Sequence, residues 1–415
     1  MMNKIWFHAL FLLLLFKIGE SQSIVKTLPG YSGTLPIKLE TGYIEVGEND
    51  EVQLFYYFIE SERNPSKDPL LFWFTGGPGC SGFSGLAYEI GPLSFDIANF
   101  NGSLPSILLN PYSWTKVASI IFLDWPVGTG FSYSNTSQGY FSSDTKSAKD
   151  NYTFLRKGYI IGNGITDQNI ENNAQIPYAH RMALISNEYF EAAKISCNGE
   201  YDNPDPNNLQ CLLALQPIHE CINPLDDGQI LEPKCAKPHL IGRNHTFWDD
   251  FSIDHLLLPF VKGGMWCRDQ NYATSYVWAN DPTVQEALHI RKGTILGWTR
   301  CNHSLSYEIN VQSVVQFHKL LSEKGYQALV YSGDHDMIVS YMSTLKWIRS
   351  LNMTVEDNWR PWVVNGQVAG YTEKYKNNDF YLTFVTVKGA GHTATEFKPK
   401  ECFAMLDRWL SLYPL

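Results

Sequence analysis

Apolar runs rich in aromatic and β-branched residues alternate along the chain with turn signals. They are Val52 to Ile59, Leu70 to Phe74, Ala118 to Leu123, Tyr159 to Ile161, Ala328 to Tyr331 and Leu382 to Val387, and each predicts a strand. Several are apolar at consecutive positions, the pattern of central strands covered on both faces. Helical spacing runs over Ser143 to Lys157, Val311 to Lys324, Met342 to Leu351 and Lys400 to Leu412, the last with Phe403, Leu406, Trp409 and Leu410 on one side. Strands alternating with helices predict an α/β sheet. From about Pro177 to Leu296 the alternation gives way to helical pieces, cysteines and loops. That segment, 177–296, reads as a lid inserted into one sheet domain spanning 23–415. No fixed-period repeat or low-complexity segment interrupts it.

The start of the chain adds a compartment. One positive charge in Met1 to Lys4, an apolar run from Ile5 to Phe16 broken by His8, and small polar residues from Gly19 to Ser23 predict a secretory signal over 1–22. The run falls short of the roughly 20 apolar residues that cross a bilayer, so no membrane partner is expected after cleavage. In that setting the eight cysteines are expected to form disulfides; no C-x-x-C pair suggests zinc, and no metal is expected. Four of them, Cys197, Cys211, Cys221 and Cys235, crowd one polar stretch that needs stapling. Asn101, Asn135, Asn151, Asn244, Asn302 and Asn352 head glycosylation sequons. Composition narrows the class further. With 44% hydrophobic residues, 12 Trp, 23 Tyr and 23 Phe, the chain builds a globular core. Its net charge of -10 repels polyphosphate and excludes nucleic acid as a partner.

Two regions carry candidate chemistry. Thr75-Gly-Gly-Pro-Gly-Cys-Ser81 follows the strand Leu70 to Phe74. A glycine-rich turn there lets backbone N–H groups approach a ligand and suits an oxyanion hole or a phosphate cradle. The phosphate reading requires a Lys-Ser/Thr pair that is missing, and a plain structural turn fits the same residues. Near the C-terminus, Tyr331-Ser-Gly-Asp-His-Asp-Met337 and Lys388-Gly-Ala-Gly-His-Thr393 each follow a predicted strand. An acid and then a histidine on such loops match the acid and base of an α/β-hydrolase. Alone, His392 between small residues could equally be an ordinary loop histidine.

These stretches, joined by Tyr88-Glu-Ile-Gly-Pro92, Asn110-Pro-Tyr-Ser-Trp114, Leu123-Asp-Trp-Pro-Val-Gly-Thr-Gly-Phe-Ser-Tyr133 and Trp278-Ala-Asn-Asp281, resemble the serine carboxypeptidase family over nearly the whole mature chain. The resemblance implies an α/β-hydrolase fold without a cofactor. It implies that Gly77, with Gly76, supplies oxyanion N–H groups, that Thr75 and Glu89 lie in the substrate region, that Asp336 orients the base, and that His392 is that base; Asp334 and His335 are lesser seats. Thr75 stands where carboxypeptidases carry an Asn, which favours the plant carboxypeptidase-like acyltransferase branch. It also implies bridges Cys80–Cys301 and Cys197–Cys211, with Cys235 rather than Cys221 as partner of Cys267.

The nucleophile is where the sequence departs. The family carries Gly-Asp/Glu-Ser-Tyr-Ser/Ala-Gly on a strand-to-helix elbow between a helix like Ser143 to Lys157 and a strand like Gly158 to Gly162. Of the triplets Gly30-Tyr-Ser32, Gly79-Cys-Ser81, Gly82-Phe-Ser84 and Gly130-Phe-Ser132, none has glycine two residues on. Helix-to-strand connections take roughly 2 to 6 residues, yet Arg156-Lys157 runs straight into Gly158-Tyr-Ile-Ile161. The reading is therefore an α/β-hydrolase lacking its central elbow strand, with neighbours that either close the gap or leave backbone groups unpaired. The expected function is that of a secreted protein, extracellular or vacuolar, related to enzymes that hydrolyse peptide C-termini or transfer an acyl group from a sugar ester. It would be inactive for want of its serine. Substrate partners would be a peptide or an acyl sugar. The rival readings are a non-catalytic ligand-binding pseudoenzyme and a product that does not fold stably. Nothing in the sequence fixes an oligomeric state.

Overall fold

The computed structural model describes residues 22–47, 51–151, 158–235 and 267–415. The expected signal, apart from its last residue, lies outside them, as do Asn244, the Asn151 side chain and the segment leading into the Lys157/Gly158 junction. No helix among the described residues is long and apolar enough to cross a membrane. The chain forms two compact units, one of residues 1–154 and 238–309, the other of residues 155–237 and 310–415. The stretch 177–296 is shared between them.

The first unit is built on β1 (Ser23–Val25), β2 (Leu39–Val46), β3 (Val52–Ile59), β4 (Leu70–Phe74), β5 (Ser119–Leu123) and β6 (Tyr133–Ser134). Their order is β1-β2-β3-β5-β4, with β6 also on β3. β5 is antiparallel to β3 and parallel to β4, in the register Leu70↔Ser119 to Phe74↔Leu123. Strand alternation sends Leu54 and Tyr56 to one face, with Leu123 and Val127. Phe55 and Tyr57 meet Phe131 and Phe83 on the other. Helix Ala273–Asn280 brings Trp278 onto Phe83, rings stacked 5.1 Å apart.

The second unit contains β7 (Gly158–Gly162), β8 (Gln327–Gly333), β9 (Thr354–Val364), β10 (Gln367–Asn377) and β11 (Phe380–Val387), in the order β7-β8-β11-β10-β9. β7, β8 and β11 are parallel, and β9 with β10 is an antiparallel hairpin. The helices are α1 (Gln168–Arg181), α2 (Asn187–Cys197), α3 (Leu209–Ile222), α4 (Val315–Glu323), α5 (Tyr341–Ser350) and α6 (Pro399–Leu410). α1 to α3 begin on the side-chain caps Asp167, Ser186 and Asn208, each accepting a backbone N–H of the first turn. α1 runs through Pro177, where the lid was expected to begin. In α6 the buried stripe is Cys402, Met405 and Leu406, one residue toward the N-terminus from the predicted face at Phe403 and Trp409.

Two of the runs expected as buried central strands are terminal strands instead. β4 ends the first unit's sheet and β7 ends the second's. None of the five residues in either is fully buried. Their neighbours β5 and β8 are buried at four of five and six of seven positions. The apolar sequence of β4 and β7 suits strands paired on both sides, and among the described residues each has a strand partner on one side.

Candidate active site

In the second unit the acid and base loops follow β8 and β11, the ends that parallel strands offer to a site. Asp336 is wholly buried and its Oδ2 lies 2.9 Å from His392 Nδ1, whose side chain is 39% exposed. A carboxylate at Nδ1 makes that nitrogen the donor and leaves the neutral ring's lone pair on Nε2, the state of a general base. Four donors converge on Asp336: the His392 ring, Asn163 Nδ2 at 2.7 Å, and the N–H groups of Ile338 and Val339 at 2.8 and 3.2 Å on Oδ1. Loop 226–230 ties the two loops together. Gly228 O accepts His392 N at 2.7 Å, Asp227 O accepts Met337 N at 2.9 Å, and Ile230 N donates to His335 O at 3.2 Å. A Cβ on Gly391 would lie 2.2 Å from Gly228 O, so this approach requires glycine.

The lesser seats are occupied elsewhere. Asp334 accepts Gly389 N at 2.7 Å, and burial raises its carboxyl above the usual range. His335 stands 3.8 Å from it. Deeper in the unit, burial lifts the Glu171 carboxyl on α1 to about 7. It also lowers the His318 imidazole to about 4.

In the first unit the turn Thr75–Ser81 is held from several directions. Gly76 and Gly77 are exposed and Thr75 is half-buried, its Oγ1 accepting Trp73 Nε1 at 3.1 Å. Cys80 is bonded to Cys301, and Ser81 N donates to Arg300 O while Asn302 N donates to Gly79 O. Gly79 has φ +103°, and a Cβ there would sit 2.6 Å from Asn302 O. Behind the turn Asp124 is wholly buried, with burial pushing its carboxyl up to about 7. It accepts Ser81 Oγ at 2.5 Å, Gly82 N at 2.9 Å and Phe131 N at 2.9 Å, with no basic side chain among these partners. Glu89, half-buried, ends the short helical turn Gly85–Glu89 that follows.

Three serines near the turn belong to this scaffold. Ser81 is buried and bonded to Asp124, and Ser132 is buried with its Oγ accepting Phe55 N and donating to Asp124 O. Ser84 is buried too. Among the described residues no group of His, Cys, Asp and Glu is arranged to hold a metal.

Cys197–Cys211 joins α2 to α3. Cys235 and Cys267 are both disulfide-bonded, while Cys221 is free and exposed and Cys402 free and buried. Of the sequon asparagines, Asn101, Asn135 and Asn352 are exposed and Asn302 is half-buried, its Nδ2 donating to Gly128 O at 2.9 Å. Two supporting residues escaped the sequence reading. Asn163, inside Gly162-Asn-Gly164, passes for a turn residue; Asp124 stood in a quoted motif with no role. The available signal for Asp124 was an acid directly after a buried strand.

A buried carboxylate hydrogen-bonded to a histidine on loops that follow parallel strands is an arrangement of the α/β-hydrolase class. The fold agrees: Kex1(delta)p, a prohormone-processing carboxypeptidase from Saccharomyces cerevisiae, superposes with a TM-score of 0.65 at 18% identity, covering 95% of this chain and 96% of that one. The sequence matches the serine carboxypeptidase family over residues 29–157 and 156–412, and the chain belongs to that family. Serine carboxypeptidase-like 2 of Arabidopsis thaliana is 44% identical over 443 aligned residues, covering 95% of this chain and 94% of that protein. Serine carboxypeptidase-like 17 of the same plant is 41% identical over 459, covering 99% and 97%.

Proposed function

We propose that this is a secretory-pathway serine carboxypeptidase-like protein, extracellular or vacuolar, that keeps the acid, the base and the oxyanion turn of an acyl-transfer enzyme but has no serine nucleophile and does not turn over. The observation that carries the reading is the lack of any Gly-x-Ser-x-Gly in the 415 residues. The family match supports it by falling into two stretches that meet at residues 156 and 157, beside β7. The 459 aligned positions with serine carboxypeptidase-like 17 also exceed the 415 residues of this chain, so that relative carries residues without a counterpart here. The disulfides and the exposed sequon asparagines fit an oxidising, glycosylating compartment. The ancestral substrate is a peptide with a free C-terminus or an acyl sugar.

Losing the serine of a triad lowers turnover by about a factor of a million, roughly 8 kcal/mol of barrier, since the base has no alkoxide to generate. Purified folded protein is therefore expected to release neither the C-terminal residue of a peptide nor the acyl group of an acyl glucose above the rate of its His392→Ala variant. Turnover that disappears in that variant contradicts the reading. So does genomic sequence across the Lys157/Gly158 codons with no in-frame segment encoding an elbow.

A further inference from the structure

We propose that Asn163 is a positioning residue for the acid–base pair: its carboxamide anchors Asp336 Oδ2 and shares with the imidazole the charge that this oxygen presents to His392. The inference rests on the reading of Asp336 and His392 as acid and base, and goes beyond it by assigning a residue from a third segment of the chain. Asn163 follows β7 directly, and its N–H extends the β7–β8 ladder by donating to Tyr331 O at 3.0 Å. It is buried, with φ +46°, a left-handed conformation that Asn adopts more readily than most residues.

That conformation turns the side chain toward the acid loop. Nδ2 donates to Asp336 Oδ2 at 2.7 Å, and Oδ1 receives Gly333 N at 3.3 Å. The preceding Gly162 is dictated by the same approach, since a Cβ there would lie 2.2 Å from the Tyr331 ring. Oδ2 therefore serves two donors, Asn163 and His392, while Oδ1 is held by two backbone amides. A donor to the charged form lowers a carboxylate's proton affinity. Losing one leaves Oδ2 a stronger acceptor, and the imidazolium is then held more tightly. A residue that merely braced the loop would have the opposite effect: without it Asp336 would drift, and His392 would lose its partner.

The test is the titration of His392 in the full chain, followed by NMR of ring-labelled histidine and assigned by loss of its signal in His392→Gln. Asp336→Asn is expected to lower the midpoint. Asn163→Gly, which deletes the side chain while tolerating the left-handed backbone, is expected to raise it by about half to one pH unit. Asn163→Asp, similar in size, sets a second carboxylate beside Oδ2 and is expected to raise it further. It carries the test if the glycine variant does not fold, and thermal unfolding of each variant checks that. A midpoint in the Asn163 variants that is unchanged, or that falls to the Asp336→Asn value, overturns the role of Asn163. No shift in Asp336→Asn itself overturns the acid–base reading, and the role of Asn163 with it.

Discussion

The glycine turn of the first unit and the acid–base corner of the second are held by different means. The turn is fastened by a disulfide, a two-way backbone bridge to residues 300–302 and a buried carboxylate serving two amides and a hydroxyl. The acid and base loops, residues 334–340 and 388–393, contain no cysteine. Asp336 and His392 are placed by Asn163, by the amides of residues 338 and 339, and by carbonyls of loop 226–230. The contacts named for each lie within its own unit. The difference teaches that a covalent bridge and a hydrogen-bonded network can each fix a loop at the end of a strand. In the sheets themselves, the apolar strands β4 and β7 sit at sheet ends.

The comparison can be broken most severely at Asp124. Asp124→Ala strands Ser81 Oγ, Gly82 N and Phe131 N in a buried site. At about 1 to 3 kcal/mol for each unmet donor, partly offset by removing a buried carboxylate, the variant should lose about 3 to 5 kcal/mol in denaturant unfolding. The Asn163 variants should lose less. Replacing Cys80 and Cys301 together by serine should cost about 2 to 4 kcal/mol by the same measurement, given that 221 residues separate them. The Asp336–His392 titration should not move, because the corner does not depend on that bridge; a shifted titration would show that the two supports are coupled.

A smaller effect follows from pH. Asp124 and Glu171 hold their protons more tightly when folded than when unfolded, both having been raised to about 7. Stability is therefore gained as pH falls through 7 and lost as it rises. His318, lowered to about 4 by burial, works the other way: below about 6.5 the unfolded chain takes the proton first, so stability is lost toward pH 4. The unfolding temperature should rise as pH falls through 7 and go on rising, less steeply, below about 6.5, where His318 cancels one of the two protons gained by Asp124 and Glu171. Asp124→Asn and Glu171→Gln should each flatten this rise, and His318→Phe should steepen it below about 6.5. A midpoint that falls steadily from pH 8 to 6.5 would contradict these assignments.

Each strand run named from the sequence is a strand, because continuous apolar stretches have one way to be covered in an α/β protein. The hairpin β9–β10 left no such trace. Its residues include Glu356, Asp357, Arg360, Lys374 and Lys376, and its pairing with β11 depends on contacts distant in sequence. Neighbour count was equally invisible: nothing within Leu70 to Phe74 or Gly158 to Gly162 announces that each ends its sheet. At the site, His392 and Asp336 could be named from their motifs. Asn163 could not, because a polar residue between glycines reads as a turn until the fold brings Asp336 to within 2.7 Å of it.

The central claim is that no serine in this chain is activated, and labelling by a fluorophosphonate tests it most directly, since the probe reports an activated hydroxyl without requiring the right substrate. Folded protein incubated with the probe and read by intact mass and peptide mapping should carry no label, with Ser81, Ser84 and Ser132 unmodified, as their burial implies. Stoichiometric labelling at any serine, abolished by His392→Ala, would contradict the account and show that a substitute nucleophile has been recruited.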